Sequence, residues 1–399
     1  MKAEVDRGEA VSMMEPLFIS STSKHYGSLA DLALELSAKS TGLKRSLPPP
    51  IVGALSDLVR AMNCYYSNLI EGHDTHPVDI ERALNEDYSA DPEKRDLQLE
   101  ACAHIEVQKW IDAGGLKDRA LSAGGIRETH KRFCALLPDD MLWVEYPDTG
   151  ERVQVVPGEY RLRDVQIGRH VAISPGAVPN FMTRFETAFA ERGKVDTIMS
   201  SATAHHRFLW VHPFLDGNGR VARLTSYAVL HDVMETGGLW SIARGLARNV
   251  KAYKGHLAAC DLKRRNDLDG RGNLSEEELA KFVFFFLQTC IDQVDFMESL
   301  MQPGRLRDRI HIWAEEEIRA DELPLKSTQV LDAVLYRGEI ERGELAEILA
   351  VTPRHARRIS SALLEKGILT SAGVRAPLRL AFPAALAGRL MPGLFPEHL

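Results

Sequence analysis

Residues 212–223 read HPFLDGNGRVAR, and the way this stretch is read decides what the chain folds into. An apolar helical run (195–211) leads into it and a second (219–235) leaves it, so it is a loop feeding a helix N-terminus. Gly217, Asn218 and Gly219 are the residue types that tolerate positive φ. Turns of that kind aim successive amide N–H groups into one concavity, and a helix dipole behind them makes it an anion site. Arg220 and Arg223 stand three apart on nearly one face of the helix start, where cations are unfavourable unless an anion sits above them. Asp216 is a single carboxylate of the kind that holds Mg2+ beside substrate phosphates. His212 adds a titratable base within reach of the same spot. A lone GNG would be an ordinary turn; the whole twelve-residue arrangement spells phosphoryl or nucleotidyl transfer.

Outward from this loop the periodicity stays helical. In 51–70, Ile51, Leu55, Leu58, Val59, Met62, Tyr66 and Leu69 recur at three- and four-residue steps behind Pro48–Pro50. Further helices are expected at 77–87, 93–113, 122–136, 179–191, 249–263 and 275–300. Strand alternation is confined to 151–156 and 164–173, expected to pair as one hairpin across a loop containing PGEYR. After Pro303 and Gly304, three short helices (327–336, 342–349, 353–366) and two strand-like pieces make a winged helix-turn-helix pattern. The expected fold is mainly α: an N-terminal helical region (1–114), a core with its helical extension and a small β-hairpin (115–302), and a winged-helix unit with a tail (303–399).

With 45% hydrophobic and 26% charged residues the composition is that of a soluble globular protein. A net charge of -7 argues against broad electrostatic binding to nucleic acid or anionic membrane. Five scattered cysteines without CxxC spacing suit reduced thiols and a cytoplasmic location. The N-terminus has no signal-peptide pattern, and the longest apolar run, FVFFFL at 282–287, is too short for a membrane span.

HPFLDGNGRVAR matches the signature HxFx(D/E)GNGRxxR of the Fic domain at every defined position, and AHHRFLWV before it resembles that family's lead-in helix. The resemblance covers about 51–265 and implies transfer of AMP from ATP to a Ser, Thr or Tyr hydroxyl of a protein, itself included, with release of pyrophosphate. It implies His212 as base, Asp216 on Mg2+, the backbone of Gly217, Asn218 and Gly219 with Arg220 around the phosphates, and Arg223 on the γ-phosphate. The Doc branch carries Lys where Gly219 stands, so Gly219 favours AMP over phosphate transfer. It further implies that a β-hairpin flap, fitting Val165, Gln166, Ile167 and Gly168, lies over the nucleotide and pairs with the target as an added strand. Tyr253 is expected at the wall of the adenine pocket, with core burial as the even alternative.

SNLIEG (67–72) puts Glu71 in the last turn of a helix, where the unpaired carbonyls repel a carboxylate, just before Gly72. The stretch resembles the family's inhibitory motif (S/T)xxxE(G/N), beginning at Ser67. That resemblance implies an ion pair from Glu71 to Arg223, with the carboxylate standing where the γ-phosphate would go. In some relatives the same glutamate supports AMP removal, which stays open for this chain.

Other patterns carry less. DLDGRGNLSEEE (267–278) has EF-hand spacing at Asp267, Asp269, Gly272 and Glu278, but Arg271 occupies a ligand place, and Ser275 with Glu278 reads as a capping box. His205 shares a stripe with Ile198, Ala202 and Leu209 and reads as core rather than a zinc ligand with His206 and His212. A Walker loop is absent. In the C-terminal unit Arg354, Arg357 and Arg358 lie on the recognition-helix position, reachable by phosphates or base edges. The small Lys/Arg excess there tips the expected partner toward protein rather than DNA. The rival function is a DNA-binding regulator that only senses ATP, and a homodimer is compatible with either reading.

Overall fold

The computed structural model describes residues 5–146 and 149–396. In chain order come α1 (Tyr26–Arg45), α2 (Pro49–Glu71), α3 (Pro77–Leu84), α4 (Pro92–Asp112), α5 (Ala123–Cys134), β1 (Trp143–Glu145), β2 (Arg152–Gln154), β3 (Gln166–Ile167) and β4 (His170–Val171). Then follow α6 (Val178–Phe189), α7 (Lys194–Val211), α8 (Asn218–Met234), α9 (Ala243–Arg248), α10 (Val250–Cys260) and α11 (Glu276–Met301). The C-terminal unit holds α12 (Pro303–Arg319), α13 (Ser327–Arg337), β5 (Glu339–Ile340), α14 (Leu345–Ile348), α15 (Pro353–Glu365), β6 (Leu369–Thr370), β7 (Leu378–Leu380) and α16 (Ala384–Leu390). The fold is mainly α, as its periodicity predicts. Among the described residues no helix is long and apolar enough to cross a membrane.

α7 and α8 form the central pair, and most positions of both are buried, including Arg207, Arg220 and Arg223. α4 and α5 cover α8 on one side, α6 covers α7, and α2 crosses above α8 so that its C-terminus ends at the 212–223 loop. One hydrophobic cluster runs without interruption from α1 and α2 through α11 into the C-terminal unit, where Leu363, Leu380 and Leu390 are fully buried. β7 packs on α2, and the tail seats Phe395 edge-on against Tyr65 while the Tyr66 hydroxyl donates to the Leu394 carbonyl at 3.1 Å. The helix bearing Glu71 is thereby held from both sides.

Three expectations change. The segments 151–156 and 164–173 do not pair with each other. β2 pairs with β1, Val144 opposite Val153, and β3 pairs only with β4, Ile167 opposite His170. Gly168, at φ +60°, opens a two-residue turn of the primed kind that closes the second hairpin tightly, and buried Arg161 anchors the chain between the two ribbons. The segment 249–263 is preceded by a further short helix, and the chain bends at Asn249 between α9 and α10. α1 was not expected, because Gly27, Gly42 and several Ser and Thr dilute its apolar stripe; it is held by packing on α11 rather than by propensity.

Candidate active site

α7 ends where its C-cap residue, His212, turns left-handed at φ 50°, ψ 60°, a strained conformation for a residue with a Cβ. Its surroundings hold it there. The His212 N–H donates to Phe208 at 2.9 Å, and the Asn218 side chain clasps the loop from within, accepting from Phe214 N–H at 3.0 Å and donating to the Phe214 carbonyl at 2.9 Å. Gly217 caps α8 in the left-handed region at φ 79°. His130 of α5 stacks on Phe214 with centroids 3.9 Å apart, accepts from Gly158 N–H at 2.9 Å, and so presents Nε2–H to the Asp216 carbonyl at 3.3 Å. The loop is over-determined, as a positioned reactive group requires.

His212 Nδ1 faces the Leu209 carbonyl at 3.3 Å. A carbonyl only accepts, so Nδ1 carries the proton and Nε2 keeps the lone pair. Burial pulls this imidazole down to about 4, so it is a neutral base at physiological pH.

No side chain caps α8, and its first amides are open. Over them lies Glu71, whose Oε1 would collide with any Cβ added at Gly219. The same oxygen accepts from Arg223 Nη2 at 2.5 Å, and the Arg223 side chain is only 2% exposed. Ser67 completes the clamp: its hydroxyl accepts from Arg223 Nε at 2.8 Å and its carbonyl from Nη2 at 3.1 Å. Burial alone would raise the Glu71 carboxyl, but the Arg223 and Arg220 charges outweigh it and hold the group below the usual carboxylate range. Gly72, at φ 94°, ends α2 in a Schellman turn, with Gly72 N–H on Leu69 and His73 N–H on Asn68. Arg220 is met by a different acid, Glu100 of α4, which is 3% exposed and also accepts from His73 at 2.7 Å. That bond holds His73 above its ordinary range.

The Asp216 side chain is exposed and makes no hydrogen bond or ion pair among the described residues. A free carboxylate beside open helix amides fits a hydrated Mg2+ that arrives with phosphates; no cluster of three or more ligating side chains occurs among the described residues. Gln166, Ile167 and Gly168 are exposed on the β3–β4 hairpin, whose base is tied to α7 by His170 on the Trp210 carbonyl at 2.7 Å. Tyr253 is 2% exposed in the core, and its hydroxyl meets His205 at 2.6 Å. His205 uses its other nitrogen on Ser226 at 2.9 Å, which accounts for its burial without a metal. Asp269 of the EF-like stretch is likewise spent internally, on Ser275 and on the amides of Glu277 and Arg265. The Ser275 hydroxyl caps α11, while Glu278 turns to Arg265 and Lys281 instead of closing the box.

Sequence reasoning missed His130, Glu100 and Arg161. Arg161 is 3% exposed and has no carboxylate partner among the described residues; its guanidinium donates to the carbonyls of His212 (2.8 Å), Arg163 (2.9 Å) and Ile173 (2.5 Å). It thus bolts the segment after the β3–β4 hairpin to His212 at the head of the 212–223 loop. No local pattern marks these three, since each reaches the 212–223 stretch, at His212, Asp216 or Arg220, from a distant part of the chain.

Comparisons with known proteins agree with this geometry. The chain is 26% identical over 168 residues to the protein adenylyltransferase Fic of Drosophila grimshawi, and 28% over 170 residues to that of Nematostella vectensis, each covering 42% of this chain. The matches span 32% and 36% of those relatives' own lengths, so the chain spans about a third of them. A solved Fic family protein from Desulfovibrio desulfuricans G20 shares the fold, with a TM-score of 0.53 over 91% of this chain and 98% of that one at 16% identity. The model of the Fic/DOC family matches residues 121–230, which contain α5, the β3–β4 hairpin, α6, α7, the 212–223 loop and most of α8. Residues 121–230 are thus similar to the Fic/DOC family, and the chain shares the fold of a solved member of it.

Proposed function

We propose that this chain is an auto-inhibited protein adenylyltransferase that moves AMP from ATP onto a Ser, Thr or Tyr hydroxyl of a protein, itself included. The observation that carries this reading is the Glu71 carboxylate on Arg223, above the open amides at the start of α8. An anion held there by an arginine and a helix N-terminus stands in for a terminal phosphate. The names of the matched relatives, protein adenylyltransferase Fic, support the same activity.

In the released state His212 Nε2 takes the proton from the attacking hydroxyl, the hydroxyl oxygen bonds to the α-phosphorus, and pyrophosphate leaves with the bridging oxygen's electrons. The first amides of α8 and Arg220 receive the phosphate oxygens, and Arg223, once freed, grips the γ-phosphate and sets the α-phosphorus in line. Asp216 would hold Mg2+, which supplies charge neutralisation along the phosphates when bound. Gly219 leaves room where a longer side chain would meet the nucleotide. The exposed β3 edge offers backbone groups to an extended target segment. Arg161, His130 and Glu100 act as positioning residues for the base, the loop and Arg220. We assign 1–114 to the inhibitory region, 115–302 to the catalytic core and 303–399 to a winged-helix unit with its tail.

Parallel incubations of the Glu71→Gly variant with α-labelled and γ-labelled ATP test the reaction class. AMP transfer leaves label on protein only from the α position. Label only from the γ position would make the chain a phosphotransferase instead.

A further inference from the structure

The near balance of charge in the C-terminal unit conceals an uneven distribution in space. Most of its cations are spent: Arg307 on Asp332, Arg337 on Glu344, Arg379 on Glu339, and Lys366 on Glu317 and Glu322. Arg354, Arg357 and Arg358 are not. All three are exposed, and none has a hydrogen-bond or ion-pair partner for its guanidinium among the described residues.

Steps of three and four residues place these arginines on one face of α15, while Ala356, Ile359, Ser360 and Leu363 occupy the opposite, buried face. They fall in the first two turns, where the helix dipole is already positive, so each raises the local potential further. α15 packs on β6, and the turn from β6 to β7 carries Arg375, also exposed and unpaired, next to Val374 at 91% exposure. Three unneutralised guanidinium groups share one face of α15, and a fourth lies on the turn of the hairpin that packs against this helix, on a chain whose net charge is -7. The acid on the same face, Glu365, lies about 10 Å beyond Arg358 along the axis.

We infer that the outer face of α15, with the β6–β7 turn, is a docking surface for duplex DNA, held through its phosphates. The α15 face itself has no aromatic or large aliphatic anchor among the described residues: Ser361 is the next residue along it after the arginines, and the exposed Val374 lies on the turn. A protein interface concentrates its energy in buried anchors of that kind, whereas phosphate contacts need only exposed cations. A helix about 10–12 Å across also matches a major groove about 12 Å wide.

The test is fluorescence anisotropy of a labelled mixed-sequence 24-bp duplex with the full chain, without ATP, across 50–200 mM KCl. It is therefore independent of the proposed transferase activity. Four phosphate contacts give a slope of log K against log[salt] near -3.6, which is a loss of roughly 150-fold over that range. The triple variant R354A/R357A/R358A should flatten the slope to about -0.9, and the triple lysine variant should restore most of it. Arg305→Ala, which removes an exposed unpaired arginine on α12, should change nothing. Unchanged melting would show that the triple variant is folded. The inference is overturned if the full chain fails to bind duplex at 50 mM salt, or if the triple alanine variant keeps the parent slope. Binding of a polyglutamate peptide in place of the duplex would overturn it in favour of an acidic protein partner.

Discussion

Replacing Glu71 by Gly is the perturbation with the largest expected consequence. In the resting state Arg223 is engaged by Glu71 Oε1 at 2.5 Å, and the carboxylate lies over the amides that would receive phosphate. A γ-phosphate must therefore displace that ion pair and tolerate a carboxylate within about 4 Å, a repulsion of about 4 kcal/mol at an effective permittivity near 20. Rearrangement and residual water reduce this, so 2–4 kcal/mol is a fair range, or roughly 30- to 1000-fold in rate. The assay is incorporation of α-labelled AMP into the purified protein. Glu71→Gln keeps the shape and loses the charge, so it should recover most of the gain if repulsion is the cause. A Glu71→Gly variant within twofold of the parent would refute the reasoning. Because Glu71 is held below the usual carboxylate range, its charge persists throughout the neutral range and is lost only as pH falls through that depressed value. Stability should drop by about 1–3 kcal/mol in the same variant, since the buried Arg223 keeps only its Ser67 partners.

Burial depresses His104 and His205 to about 3 and His130, His206 and His212 to about 4. Each then contributes stability that is complete above about 6.5 and declines below it, because the unfolded chain takes up those protons first. Melting at pH 5.5 against pH 7.5 should show a loss of about 5 kcal/mol or more, on the order of 6 °C; an unchanged midpoint would contradict these environments. Arg161→Met leaves the carbonyls of His212, Arg163 and Ile173 without their donor and should cost about 3 kcal/mol, lowering kcat more than nucleotide affinity in a Glu71→Gly background. Gly168→Val forces a β-branched residue to φ +60° and should open the flap, weakening target modification while leaving ATP binding intact by calorimetry.

How much of this was legible beforehand varies with how local each feature is. The helices at 51–70, 195–211 and 219–235 were readable because each carries its own buried stripe, and 212–223 because anion site, base and carboxylate all lie within twelve residues. The chain alone thus determined a mainly helical fold and the resemblance of its 212–223 loop to the Fic signature. Tertiary structure decided the pairings across long separations. It spent Tyr253 on His205 and set Glu100 on Arg220 from a helix more than a hundred residues earlier. It gave β3 to β4 rather than to β2, and it separated the spent arginines of the C-terminal unit from the unspent ones on α15. An ion pair or a buried guanidinium takes its energy from the dielectric and the partner that the fold supplies, and neither is present in the order of residues. Glu71 shows the division best: its placement at a helix end was visible as an anomaly in the chain and its pairing with Arg223 was implied by a resemblance, while the contact itself exists because α2 crosses over α8.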